Sequence, residues 1–177
     1  MSDSRPQRLI IGISDASGAI YGVRLLELLR DTPIETHLVA SKSAMITLAH
    51  ETDIGWTQLK AMADVSYSSQ DIGAAIASGS FKTMGMIIAP CSIRSLSEIA
   101  SGVTSSLLTR TADVVLKERR RLVLMVRETP FDKGSLIKTI ICSVHPAGVF
   151  LHLKWLCSHQ EHRSAYGGGR ENGRPVH

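Results

Sequence analysis

Residues 8–22, RLIIGISDASGAIYG, decide the fold. Leu9, Ile10, Ile11 and Ile13 make a short apolar run that reads as a buried strand. Ser14-Asp15-Ala16-Ser17-Gly18 interrupts it with small polar residues and a glycine, and from Ala19 to Leu29 the pattern turns amphipathic and helical. Strand, tight loop and helix in that order bring backbone N–H groups and a positive helix end to the carboxyl tip of the strand. In an open α/β sheet that tip borders the ligand crevice. The stretch is either a plain turn or a seat for a phosphate on Asp15 to Gly18, since a Ser/Gly-rich turn is less specific than a full dinucleotide fingerprint.

The pattern recurs down the chain. Ile34 to Ala40 alternates and is rich in β-branched residues, so it predicts a second strand. Ser41 follows as an N-cap for a helix over Lys42 to His50, which Glu51-Thr52-Asp53 closes. Two acids at a helix C-terminus oppose the macrodipole; they are either solvated or held at a site. Shorter pieces follow: a helix over Thr57 to Ala63, a small strand Val65 to Tyr67, a helical turn at Asp71 to Ala77 and a polar loop at Ser78 to Phe81. Met84 to Pro90 is apolar throughout, as a strand covered on both faces requires. It runs into Cys91-Ser92-Ile93-Arg94-Ser95 and a helix to Ala100.

Ser105 to Arg119 predicts the strongest helix, with Leu108, Ala112 and Val115 on one face. Arg110 and Lys117 share another face with Asp113 between them, which by periodicity alone is a salt-bridged exposed surface. Leu122 to Val126 is the next strand. It delivers Arg127 and Glu128, residue types suited to binding phosphate and moving protons. Alternating strands and helices predict a parallel sheet with right-handed crossovers, so the turns at 14–18, 91–95 and 127–130 fall on one edge.

The bulk properties fit such a domain. The chain has 177 residues, 44% apolar and 20% charged, which is globular composition. No apolar run is long enough to span a bilayer, and MSDSRPQR is not the start of a signal peptide; a cytoplasmic protein without a membrane partner is expected. Cys91, Cys142 and Cys157 form neither a disulfide framework nor a metal pattern, so no metal is expected. The net charge of +4 is concentrated late, with six Lys/Arg against three Asp/Glu from residue 131 onward. Without a basic stripe interleaved with aromatics, no nucleic-acid partner is expected.

Taken together, RLIIGISDASGAIYGVRLL, ETHLVASKSA, ETD, SSGSF, IIAPCSIRSL, LLTRTADVVLKERR and LVLMVRETP resemble the flavin prenyltransferase family of UbiX/Pad type, over about residues 8–130. The resemblance implies a Rossmann-like (flavodoxin-like) three-layer α/β sandwich with a parallel sheet, assembled as a homododecamer. It implies reduced FMN and dimethylallyl phosphate as substrates. The prenyl group joins flavin N5 and C6, and the prenylated FMN serves UbiD-type decarboxylases, as in ubiquinone biosynthesis. By position, Asp15, Ala16, Ser17, Ser41, Cys91, Ser92, Ile93, Arg94 and Arg127 would bind FMN. Arg110, Lys117 and Arg127 would surround the prenyl phosphate, and Ser17, Glu51, Lys117 and Glu128 would be catalytic.

Two features depart from the family pattern. Asp15 stands where the family has glycine, which adds a negative charge beside the flavin turn and fills a conformationally permissive position. Beyond Ile141 the resemblance ends, so residues 1–141 are expected to form the flavoprotein-type domain and 142–177 a divergent tail. The tail holds five of the seven histidines and two of the three cysteines, in no zinc-site spacing. Tyr166 lies in a loop-like SAYGGGRENG and is not equated with the family's phosphate-binding tyrosine. A changed reading frame would produce such a tail, with disorder over Gly167 to His177. The rival expectation is an FMN-binding homologue with impaired catalysis, or a decarboxylase-associated subunit.

Overall fold

The computed structural model describes residues 7–127 and the strand 148–152. Six strands form one sheet: β1 (Gln7–Ile13), β2 (Ile34–Ala40), β3 (Val65–Tyr67), β4 (Gly85–Cys91), β5 (Arg121–Val126) and β6 (Gly148–His152). Their order is β3-β2-β1-β4-β5-β6 and every pairing is parallel. Leaving aside the three-residue edge strand β3, the order is the flavodoxin-like one; with β3 it is the Rossmann order. β6 falls in the segment expected as a divergent tail and pairs with β5 from Leu122–Gly148 to Val126–His152.

Alternation along the strands feeds two cores. Ile11, Ile13, Leu38 and Ala40 face one side, packing with Val23 and Leu26 of α1 (Ala19–Leu29), Leu48 of α2 (Lys42–Glu51) and Leu59 of α3 (Trp56–Ala61). Ile10, Val39, Met86, Ile88, Leu122 and Leu124 face the other. There they meet Leu96 and Ile99 of α4 (Ile93–Ser101) and Leu108, Ala112 and Val115 of α5 (Leu107–Lys117). This burial on both faces is why the strands read as apolar runs rather than alternating ones. The expected helical turn at Asp71 to Ala77 narrows to a 3-10 turn over Ala75–Ala77.

Gly22 lets α1 lie directly on the sheet. A Cβ there would sit 2.6 Å from the Ala89 carbonyl oxygen and 2.6 Å from Ile13 Cδ1. The chain winds from β1 out to β3 and returns at β4, so the order reverses between β1 and β4. Their carboxyl ends flank the crevice in which ligands of such sheets bind.

Candidate functional site

Ser14 joins the two sides of that crevice. Its backbone N–H and its hydroxyl both donate to the Pro90 carbonyl, at 3.1 and 3.0 Å, and its Oγ accepts from the Ser92 N–H at 2.7 Å. Ser14 is fully buried. This role is not legible locally, because a serine ending an apolar run says nothing of a partner 76 residues away.

Three helices point their N-termini at this edge, each capped by a serine. Ser41 accepts from the Ala44 N–H at 3.1 Å, Ser92 from the Ser95 N–H at 3.2 Å and Ser106 from the Thr109 N–H at 3.4 Å. Between them opens a cleft of about 440 Å³, within the range of small-molecule sites. Asp15, Ser41, Lys42 and Arg94 line it, and Ser105, Ser106 and Thr109 close it from the start of α5. Of the expected residues, Asp15, Ser41 and Arg94 therefore come together, and Ser92 joins them by donating its hydroxyl to Asp15 Oδ1 at 2.8 Å. Lys42, Ser106 and Thr109 were not singled out as site residues, although Ser106 immediately before an apolar helical run is a readable N-cap.

The first loop, expected as a phosphate seat, has an acceptor within the chain. The N–H groups of Gly18 and Ala19 both donate to Glu51 Oε2, at 2.7 and 3.0 Å. A carboxylate of the chain itself occupies the positive end of α1. This also accounts for an acid at the C-terminus of α2: Glu51 opposes the dipole of its own helix and favours that of its neighbour. The space left for a ligand lies on the other side of Asp15, toward α2, α4 and α5.

The remaining expected residues are dispersed. Ala16 is buried and Ser17 exposed in the same loop. The Cys91 side chain is fully buried in the core, and Ile93 packs against that core, so the second turn reaches the cleft through Ser92 and Arg94. Arg127 flanks the first loop: a Cβ on Gly18 would lie 3.9 Å from its Cδ. Arg110 is exposed on α5. Lys117 pairs with Asp113 at 2.6 Å, the salt bridge that periodicity predicted. Lys117 stands ten residues beyond Leu107, about 15 Å along the helix. Within one chain it is thus remote from the cleft end of α5. Glu128 lies outside the described residues, as do Cys142, Cys157 and Tyr166.

The concern over backbone strain at Asp15 does not hold. Among the described residues Arg119, with φ 55, is the only non-glycine residue at positive φ. What Asp15 adds to the cleft is its carboxylate. No helix among the described residues is long and apolar enough to cross a membrane, and no group of three or more His, Cys, Asp or Glu there could hold a metal ion.

Comparison with known proteins bears on this geometry. The Flavoprotein family profile matches residues 1–141. The flavin prenyltransferase UbiX of Escherichia coli K12 is 62% identical over 131 residues, which are 73% of this chain and 69% of that protein. Two solved structures each superpose with a TM-score of 0.80 and cover 82% of this chain. One is AnUbiX (PadA1) in complex with FMN and dimethylallyl pyrophosphate, at 42% identity and covering 77% of that chain. The other is a dodecameric FMN-dependent UbiX-like decarboxylase from Escherichia coli O157:H7, at 43% identity and covering 80% of it.

Proposed function

We propose that this chain, which belongs to the Flavoprotein family and within it to the flavin prenyltransferases of UbiX type, transfers the dimethylallyl group of dimethylallyl phosphate to reduced FMN. The observation that carries this reading is the convergence of three serine-capped helix N-termini on one cleft at the switch point of the sheet. Such a site suits a phosphate, because oriented N–H groups and helix dipoles favour negative charge. Ser41, Ser92 and Arg94, with Lys42, are assigned to the flavin phosphate. Ala16, Ser17 and Arg127 are assigned to the body of the flavin, and the backbone of Cys91 and Ile93 to the wall beside it.

When bound, reduced FMN supplies the electron-rich ring that takes the prenyl carbon as the allylic C–O bond breaks. The bond's electron pair leaves with the phosphate. Fixed cations stabilise that departing charge, and Arg110, Lys117 and Arg127 are assigned to it. For the second bond the prenyl C=C would take up a proton at one carbon as its other carbon joins the flavin ring, and that ring carbon would lose a proton in turn; Glu51 and Glu128 are the assigned carboxylates for these transfers, and Ser17 is assigned to the same centre. Since Lys117 lies far along α5 from the cleft, its role requires a second copy of the chain. The dodecameric relative supports such an assembly. The complex of another relative with a prenyl diphosphate supports the class of donor. The product is assigned to a UbiD-type decarboxylase in the cytoplasm.

Lys117→Ala tests this reading. The variant is expected to retain FMN and to lose prenyl transfer in single-turnover assays. Unchanged turnover would remove Lys117 from the site.

A further inference from the structure

Asp15 is the one acid on the β1–α1 loop, and its carboxylate points across the crevice at the capping serine of α4. Asp15 Oδ1 lies 2.8 Å from Ser92 Oγ, while the alternative acceptor of that hydroxyl, Ser95 Oγ, is at 3.2 Å. A hydroxyl has one proton to donate. Ser92 Oγ also accepts from the Ser95 N–H at 3.2 Å, and the shorter of its two donor contacts, to a carboxylate, directs its proton to Asp15. A ligand oxygen entering this corner cannot receive that proton until Asp15 gives it up.

The charges of the cleft sharpen the effect. Its lining carries two cations, Lys42 and Arg94, and two carboxylates, Asp15 and Glu98. Arg94 is drawn to Glu98 at 3.2 Å along its own helix. The side chains therefore sum to no net charge, and the attraction for an anion comes from the helix ends and from Lys42, which makes no ion pair among the described residues. Asp15 opposes both. It is partly buried, so solvent does not fully screen it.

Resting on the function proposed above, we propose that Asp15 is an internal rival of the flavin phosphate: its carboxylate holds Ser92 and repels the incoming anion, and so sets the FMN affinity of this chain low. The rivalry is one of charge, not of bulk, since Asp15 has ordinary backbone geometry and needs no glycine. It follows that the effect depends on the charge of the ligand and is lost on replacement by an isosteric neutral side chain.

The test is a titration of FMN and of riboflavin, which lacks the phosphate, into the wild-type chain, Asp15→Asn and Asp15→Gly. A thermal melt of each protein checks that it is folded. Both variants are expected to bind FMN about ten-fold or more tightly than wild type, as removal of a nearby like charge in a partly exposed site implies, with riboflavin affinity changed less than about two-fold. Equal FMN affinity in all three proteins would overturn the inference and leave the flavin site standing. Tightening in Asp15→Gly alone, or equal tightening for riboflavin, would overturn it by showing an effect of bulk. No FMN binding by any of the three would overturn both this inference and the function it rests on.

Discussion

At the scale of single residues, Glu51 ties two helices together. Its carboxylate accepts from two backbone N–H groups at the start of α1, whose N-cap position is Gly18, a residue with no side chain to cap the helix. Glu51 therefore works as a remote cap joining α2 to α1. Replacing Glu51 with alanine exposes two donors and removes a charge from a positive helix end, for an expected loss of about 1 kcal/mol, and at most about 2 kcal/mol. Chemical denaturation reads this directly, and an unchanged midpoint would mean that water caps the helix equally well. The role was illegible in the sequence because the partners stand 33 residues apart. All that local reasoning could register was an acid at an unfavourable helix end. By contrast, Ser41 as an N-cap was legible, since its partner, the Ala44 N–H, lies three residues away.

At the scale of elements, strands and helices whose periodicity is strong appear where the sequence puts them, because both faces of the sheet are buried and the pattern is enforced along the whole element. α5 illustrates both the strength and the limit of this. Its buried face and its Asp113–Lys117 pair follow from spacing alone. That its N-terminus would close a cleft beside Ser41 and Arg94 depends on the sheet order, which spacing does not encode. α5 also holds a defect. Thr111 is fully buried and its hydroxyl has no hydrogen-bond partner among the described residues. A buried unsatisfied hydroxyl costs about 1–3 kcal/mol. Thr111→Val keeps the shape and the β-branch while removing that group, and is expected to stabilise the protein by about 1 kcal/mol and raise Tm by a few degrees. A lower Tm in the variant would show that the hydroxyl is satisfied in solution.

At the scale of the whole molecule, a polar cluster across β1, β2 and β3 couples stability to pH. His37 is buried, with Nδ1 2.9 Å from the Tyr67 hydroxyl and Nε2 2.9 Å from Glu35 Oε1. Burial lowers its pKa below the ordinary 6.5, although Glu35 pulls the other way. The backbone N–H and hydroxyl of Thr36 donate to Asp64 and hold its carboxyl below the ordinary 3.8. Both folded-state values are depressed, so for both groups the unfolded chain binds protons first and stability falls with pH. The His37 contribution is lost as pH drops below 6.5 toward its lowered value, and that of Asp64 below 3.8. Urea midpoints are expected to be lower at pH 5 than at pH 7.5, with a smaller difference in His37→Gln. Identical midpoints at the two pH values would contradict this assignment.

The same scale sets the central claim, that strand tips and helix ends meeting at the switch point grip a phosphorylated flavin for prenyl transfer. The most direct measurement is anaerobic incubation of the full chain with reduced FMN and dimethylallyl phosphate, followed by mass spectrometry of the released flavin. The account predicts a flavin heavier by one dimethylallyl unit, formed only when both substrates and the protein are present. Recovery of unmodified FMN alone, from a folded chain that binds it, would contradict the account.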